Sequence, residues 1–219
     1  MTLPRSRPVR WLMAAALGAF IAALATPAIL CENALHIQPG EVVLVMGAGP
    51  IGVMHVKLAK ARGAGRVVVS EPIADRAAQA RRMGADRVVD PSSEDLSEAL
   101  KQESAGRGAD IVIVAAPAHV AQQSALELAA IGGRINFFGG LPKDRPTVTL
   151  DTNLVHYKEL VLTGTTACST ADCWQAAQIV NAGLVDLSDI VSQRFPLKEA
   201  VAAFAAAEDR KSLKVVLQP

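Results

Sequence analysis

The sequence predicts an α/β fold in which helices cover both faces of a doubly wound parallel sheet. Short apolar runs rich in β-branched residues alternate with longer stretches whose apolar residues recur at helical spacing. Glycine or proline follows most of these segments, as expected where helices and strands end. The 219-residue chain is 51% hydrophobic, which is sufficient for one such domain and a smaller additional unit.

Six strands are predicted before residue 165. The first, Val42 to Met46, is an uninterrupted apolar run, which is typical of a parallel strand buried on both faces. The other five are Val67 to Val69, Val88 to Val89, Ile111 to Ala115, Arg134 to Phe138 and Leu160 to Thr163.

Helical spacing predicts a helix after each of the first four strands. The first has Ile51, Met54, Leu58 and Ala61 on one face and ends before Gly63, and the second has Ile73, Ala77, Ala80 and Met83 and ends at Gly84. The third is an exposed helix over residues 93–104, and the fourth runs from Val120 to Ala130.

After residue 168 the pattern changes. Thr170 is predicted to cap a helix that stops at Gly183. A strand from Ile190 to Phe195, a helix opened by Pro196 and a last strand from Leu213 to Leu217 follow. The apolar faces are Trp174, Ala177 and Val180 in the first helix and, directed inward, Leu197, Val201, Phe204 and Ala205 in the second.

The turn after the first strand indicates a dinucleotide site. Gly47, Gly49 and Gly52 have G-x-G-x-x-G spacing. The first glycine permits a tight turn, the second lets backbone approach a pyrophosphate, and the third lets the helix lie close to the strand. The helix would direct its first backbone N–H groups at the phosphates.

Glu71 ends the second strand, nineteen positions after Gly52. A carboxylate at this place in a dinucleotide fold accepts hydrogen bonds from the adenosine ribose, although Glu71 taken alone could equally be a surface acid. It would repel a 2′-phosphate, and no basic residue follows until Arg76. NAD is therefore favoured over NADP.

Three loops at the carboxyl ends of predicted strands are candidates to line the cofactor, since ligands bind there in open parallel sheets. Ordinary loop chemistry is the alternative for each loop taken singly. The segments are Ala115-Ala116, Phe138-Gly139-Gly140 and Gly164-Thr165-Thr166.

Composition argues against several other functions. A net charge of +1 and an aromatic content of 4% give no basis for nucleic-acid binding. The three cysteines (Cys31, Cys168 and Cys173) form no C-x-x-C pair and are expected to be small buried residues in a reducing compartment. The four histidines are scattered, so no metal ligand is predicted.

Residues 1–30 resemble a secretory signal. Three arginines precede an uncharged run from Trp11 to Ala25, and Ala23-Leu24-Ala25 offers a cleavage site. An enzyme that uses an intracellular NAD pool has little use for export, so a cytoplasmic protein is expected. An exported or membrane-tethered protein is the alternative.

At family level the chain resembles the zinc-type medium-chain alcohol dehydrogenases, particularly the sorbitol and threonine dehydrogenase-like branch. The signatures are P-G-E-V-V-L-V-M-G-A-G-P-I-G (Pro39 to Gly52), R-R-M-G-A-D (Arg81 to Asp86), G-G-R-I-N-F-F-G-G-L-P (Gly132 to Pro142), H-Y-K-E-L-V-L-T-G-T (His156 to Thr165) and R-F-P-L-K-E-A-V-A-A-F (Arg194 to Phe204). Together they cover about residues 25 to 219.

The resemblance implies a Rossmann domain over residues 31–168 and a carboxyl-terminal segment, 169–219, that packs on an amino-terminal catalytic domain. That domain holds zinc in the family, and its ligands are not found in this sequence; Thr26 stands where the family has an acid near the metal. A truncated or frame-shifted member is therefore expected, with apolar surface of the last segment left exposed.

The family reaction is hydride transfer between an alcohol or polyol and NAD. By resemblance, Gly47, Gly49, Pro50, Ile51 and Gly52 would hold the pyrophosphate, Glu71 the ribose, and Thr165 and Thr166 would lie near the nicotinamide. Arg76 lies either near the adenine or on the helix surface. No catalytic residue is assigned. A non-catalytic NAD-binding fragment is the alternative function, and the family commonly forms homo-oligomers through the edge of the cofactor-domain sheet.

Overall fold

A computed structural model describes residues 28–29, 31–208 and 212–218. The signal-like run from Trp11 to Ala25 and the position of Thr26 lie outside them. A six-stranded parallel sheet with the order β3-β2-β1-β4-β5-β6 forms the centre of the fold, and β7 and β8 form a separate parallel pair. The predicted doubly wound parallel sheet is thus confirmed.

The strands match the predicted apolar runs to within a few residues, except that β5 begins five residues early. They are β1 (Val42–Met46), β2 (Arg66–Ser70), β3 (Arg87–Val89), β4 (Ala109–Val114), β5 (Ala129–Phe137), β6 (Val161–Gly164), β7 (Val191–Pro196) and β8 (Lys214–Gln218).

Seven α-helices have both ends within the described residues. They are α1 (Pro50–Ala61), α2 (Ala74–Arg82), α3 (Leu96–Glu103), α4 (His119–Leu128), α5 (Thr152–Tyr157), α6 (Thr170–Asn181) and α7 (Ala200–Glu208). Residues 31–35 are also helical, and 3-10 turns cover Ser188–Ile190 and Leu197–Glu199.

The apolar strands are buried on both faces because helices cover the sheet from both sides. Alternate residues of each strand contribute to two different cores. The core on the α1 side includes Val43, Val45, Val67, Val69, Ile111 and Ile113, whereas the other includes Val42, Leu44, Val68, Val112, Val114 and Ile135. Part of the carboxyl-terminal segment joins the first core through Ala176, Val185, Leu187, Ile190 and Leu213.

Arg134 connects the segment before β1 to the sheet. Its guanidinium donates hydrogen bonds to the carbonyls of Leu35 at 2.8 Å and His36 at 3.0 Å. It also pairs with the Glu41 carboxylate. The helical residues 31–35 are thereby held close to the start of β1 and to Arg134 within β5.

Helix α4 ends earlier than predicted. It stops at Leu128, and the next residue is extended and starts β5. The ammonium of Lys158 donates to the carbonyls of Leu126 at 3.2 Å, Glu127 at 2.8 Å and Ala129 at 2.9 Å. It thus satisfies acceptors that the end of a helix leaves unpaired.

The predicted N-cap of α6 was wrong by one residue. Ser169 is the cap, because its side chain accepts from the Asp172 backbone N–H while the Asp172 carboxylate accepts from the Ser169 backbone. This reciprocal capping box needs an acid or amide three positions after the cap. The residue three positions after Thr170 is Cys173, which has no carboxylate or amide oxygen to accept that hydrogen bond.

The inward face predicted for the last helix was also wrong. Val201 is 87% exposed and Phe204 is 69% exposed, Leu197 and Ala205 are exposed too, and Ala203 is the buried residue. Helix α7 packs on β7 and β8 through its small side chains. Within the described residues, no helix is long and apolar enough to cross a membrane.

Candidate functional site

The glycine loop joins β1 to α1 at the carboxyl edge of the sheet. Gly47 has a φ of +105°, a conformation that side chains disfavour, and its N–H donates to the Ser70 carbonyl at 2.8 Å. A Cβ at Gly52 would lie 1.9 Å from the Gly47 carbonyl oxygen. Two of the three glycines are therefore required by the packing of the loop itself.

Gly49 differs from these two because its surroundings are open. A Cβ added there would meet no atom within 4 Å, and its φ of −67° is accessible to any residue. Gly49 is the N-cap of α1, and Pro50 occupies the first turn. Since no side chain caps this helix, its first backbone N–H groups are available to an anion.

Glu71 is directed at the glycine loop and is only 4% exposed. One carboxylate oxygen accepts from the Ala48 N–H at 2.7 Å, and the other accepts from the Ile73 N–H at 2.9 Å. The side chain therefore fixes the loop and the end of β2 together. Each oxygen can still accept a second hydrogen bond.

A cleft of about 630 Å³ opens beside this loop, between β2, α3 and α4. Its walls include apolar side chains of Pro72, Leu96 and Val120. It brings together six of the predicted residues, namely Gly47, Gly49, Glu71, Arg76, Ala115 and Ala116. This volume lies within the range of cavities that hold small ligands and cofactors.

The loops after β4 and β5 lie directly against each other. The N–H groups of Phe138 and Gly139 donate to the Val114 carbonyl at 3.1 Å and 2.8 Å. A Cβ at Gly139 would lie 2.8 Å from the Ala116 carbonyl carbon and oxygen, so only glycine fits. The buried Gln122 fixes the same loop by donating to the Gly139 carbonyl at 3.0 Å, a contact that the sequence did not indicate.

Thr165 and Thr166 follow β6 and do not line the cleft. The Thr165 hydroxyl donates to the side chain of the fully buried Asn136 at 3.1 Å. The same hydroxyl partly opposes the rise in the pKa of the Cys31 thiol. Thr166 is exposed.

Three buried titratable groups lie near these elements, and the burial of two of them, Glu32 and His55, was not predicted. Burial raises the pKa of Glu32 to about 8, against the opposing charge of Arg62, and neither carboxylate oxygen has a hydrogen-bond partner within the described chain. Burial lowers the pKa of His55 to about 3, and its ring meets Phe138 edge-on with centroids 5.1 Å apart. Burial, with the neighbouring Glu32 charge, raises the pKa of the Cys31 thiol.

His55 could have been found from the sequence, because it falls four positions after Ile51 and three before Leu58, on the apolar stripe of α1. No comparable pattern surrounds Glu32. The cysteines were predicted to be buried, which is confirmed for Cys31 but wrong for Cys168 and Cys173, since both are exposed. No cluster of three histidine, cysteine or acidic side chains suited to a metal occurs in the described part of the chain.

The chain is similar in sequence to a known protein family. The family model described as "Zinc-binding dehydrogenase" matches residues 50–182. The L-threonine 3-dehydrogenase of Caldanaerobacter subterraneus subsp. tengcongensis is 34% identical over 182 residues, which are 82% of this chain and 52% of that protein. The chain thus spans about half the length of the curated relatives it matches.

Solved structures share the fold. An alcohol dehydrogenase from Thermotoga maritima superposes with a TM-score of 0.80 at 28% identity, covering 92% of this chain and 56% of that one. A zinc-binding dehydrogenase from Sinorhizobium meliloti 1021, bound to NADP, gives a TM-score of 0.79 at 26% identity and covers 90% and 57%.

Proposed function

Since the chain belongs to the zinc-binding dehydrogenase family, we propose that it supplies the cofactor-binding part of an NAD-dependent dehydrogenase that oxidises an alcohol or polyol. The observation that carries the proposal is the open backbone at Gly49. It stands at an uncapped helix start beside a cleft and a buried carboxylate.

The pyrophosphate would lie over Gly49 and the first turn of α1. Gly47 and Gly52 shape the turn, and Pro50 and Ile51 present the helix start. Backbone N–H groups and the positive end of the helix dipole would neutralise part of the phosphate charge. No atom of the described residues fills the space that a side chain at Gly49 would occupy.

Glu71 would accept hydrogen bonds from the adenosine ribose while still fixing the loop through Ala48. A carboxylate in this position repels a 2′-phosphate, which supports NAD over NADP. Arg76 lines the same cleft, and an arginine there would favour NADP because it can bind the 2′-phosphate. We favour NAD because Glu71 is attached directly to the phosphate loop.

The nicotinamide would lie toward the loops after β4, β5 and β6, where Ala115, Phe138, Gly139, Thr165 and Thr166 are found. Bound NAD would supply the C4 carbon that accepts a hydride from the alcohol. The contribution of this chain would be to bind and orient the cofactor. We derive no zinc-dependent step, because the described residues offer no ligand set for that ion.

The class of substrate is proposed from the relatives, which are named L-threonine 3-dehydrogenases, since threonine itself carries a secondary alcohol. A second candidate function is NAD binding without turnover. It is favoured by the nature of the nicotinamide-end residues, since none of Ala115, Phe138, Gly139, Thr165 and Thr166 carries an ionisable group.

The cofactor proposal is tested by titrating the folded chain with NADH and with NADPH while following cofactor fluorescence. We expect saturable binding with preference for NADH, and a weaker, less selective complex in Glu71→Gln. Glu98→Gln serves as the control, because Glu98 is exposed on α3. Absence of saturation by either cofactor in a folded protein would overturn the proposal.

Turnover is tested separately with L-threonine and a panel of secondary alcohols, with and without added zinc. Any zinc-dependent formation of NADH would eliminate the candidate that only binds cofactor. NADH binding without turnover under all conditions would favour it instead.

A further inference from the structure

Cys168 and Cys173 form an exposed pair of thiols at the start of α6. Their sulfur atoms are 3.9 Å apart and both side chains are exposed. The third cysteine, Cys31, is fully buried. Two accessible thiols in contact are chemically different from the isolated buried cysteines that the spacing suggested.

The local helix geometry explains why the two side chains meet. Ser169 is the N-cap of α6, which places Cys168 just before the cap and Cys173 at the fourth helical position. Side chains at these two positions regularly pack against each other at helix starts, where they form a hydrophobic staple. In this chain both staple positions are cysteines.

The capping box holds this arrangement in place. The Asp172 carboxylate accepts from the Ser169 backbone at 2.8 Å and from its hydroxyl at 2.6 Å. The Cys173 N–H donates to the Ser169 carbonyl at 3.1 Å in the first helical turn. The thiols are therefore brought together by hydrogen bonds that do not involve sulfur.

We propose that Cys168 and Cys173 are a reversible redox site that closes to an intramolecular disulfide with a low-molecular-weight disulfide such as oxidised glutathione. The thiolate of one cysteine attacks the glutathione disulfide, forms a mixed disulfide and releases one glutathione. The second cysteine attacks the mixed disulfide and releases the other. Both cysteine sulfurs are oxidised, and their two protons leave on two reduced glutathione molecules.

The geometry favours closure within one chain over other products. The sulfurs, 3.9 Å apart, must approach by about 2 Å to reach disulfide bonding distance. The hydrogen bond between the two thiols, together with the nearby Asp172 charge, raises the pKa of Cys168. The reaction therefore accelerates as the pH rises, because the thiolate is the attacking species.

Closure would attach the loop after β6 to the first turn of α6. Cys168 is two residues beyond Thr166, so the constrained loop includes the end of the segment proposed to lie near the nicotinamide. The redox site itself does not depend on that proposal. It requires only the thiol pair and its capping box.

The test treats the whole chain with oxidised glutathione, then blocks remaining thiols with iodoacetamide after unfolding and maps the products by mass spectrometry. We expect Cys31 alone to be alkylated, a peptide linking Cys168 to Cys173, and complete reversal by dithiothreitol. In Cys173→Ser the expected product is a stable glutathione adduct on Cys168, because the resolving thiol is absent.

Ser169→Ala tests the role of the capping box, and we expect disulfide closure to slow severalfold while both thiols still react with iodoacetamide in the folded protein. The proposal is overturned if the wild-type chain accumulates glutathione adducts at both positions, or if it forms only disulfides between chains. It is also overturned if the disulfide includes Cys31.

Discussion

Gly49 and Gly52 belong to one motif but meet different constraints. A Cβ at Gly52 would lie 1.9 Å from a backbone oxygen, whereas a Cβ at Gly49 would meet nothing within 4 Å. We therefore expect Gly52→Ala to cost more than the usual ~1–3 kcal/mol of overpacking or to prevent folding. Chemical denaturation of the two variants measures the difference.

Gly49→Ala should fold with a stability within about 1 kcal/mol of the parent chain, because its backbone conformation suits alanine. Its added methyl group would occupy the proposed phosphate position. We expect its affinity for NADH to fall at least about tenfold, which corresponds to roughly 1.4 kcal/mol. An unchanged NADH affinity would place the phosphates elsewhere.

The buried Glu32 carboxyl makes stability depend on pH. Its pKa is raised from 4.5 to about 8 in the folded chain. The folded state retains the proton to about pH 8 whereas the unfolded state releases it near pH 4.5, so stability is lost as pH rises through this window. Glu32→Gln removes this loss.

We expect Glu32→Gln to be more stable than the parent chain near pH 8, by on the order of 2–4 kcal/mol, and to approach it near pH 4.5. Denaturant midpoints across this range provide the measurement. Glu98→Gln is the control, because Glu98 lies at the surface. An equal difference at both pH values would show that Glu32 does not hold a proton in the folded state.

At the scale of single elements, the capping box of α6 is a separate source of stability. Ser169→Ala removes the side-chain acceptor for the Asp172 N–H. The expected cost is ~1 kcal/mol, as for other N-cap replacements by alanine. Thr170→Ala is the matched control, since Thr170 follows the cap, and it should change the denaturation midpoint much less.

Elements with strong local signals could be predicted from the sequence. Val42–Met46 was found with its observed ends, because an apolar run followed by a glycine turn has few other interpretations. The end of α4 could not be found, since it depends on Lys158, which is thirty positions beyond Leu128. Helix α5 was missed because its six residues are too short to show periodicity.

The candidate site likewise contains residues that the sequence predicted and residues that it did not. The glycines and Glu71 were predicted because their spacing has a defined physical meaning. The contact of Cys168 with Cys173 was not, because it depends on which of two adjacent residues caps α6. Glu32 and Gln122 are set by tertiary contacts, and no local pattern in the sequence identifies them.

At the scale of the whole molecule, α7 and the 3-10 turn before it direct apolar side chains to solvent. Leu197, Val201 and Phe204 are 60%, 87% and 69% exposed, and their spacing places them on one side of the chain. Contiguous apolar surface of this kind promotes association.

The double variant Val201→Lys, Phe204→Glu should therefore bind less of a hydrophobic dye and remain monodisperse at higher concentration, as measured by light scattering. Because neither side chain is in the core, its midpoint of unfolding should change by no more than ~0.5 kcal/mol. Ala203→Lys is the contrasting variant, since Ala203 is buried against the small sheet and a charge there should destabilise α7. If the double variant instead unfolded as readily as Ala203→Lys, the exposed side of α7 would have to be a packed surface.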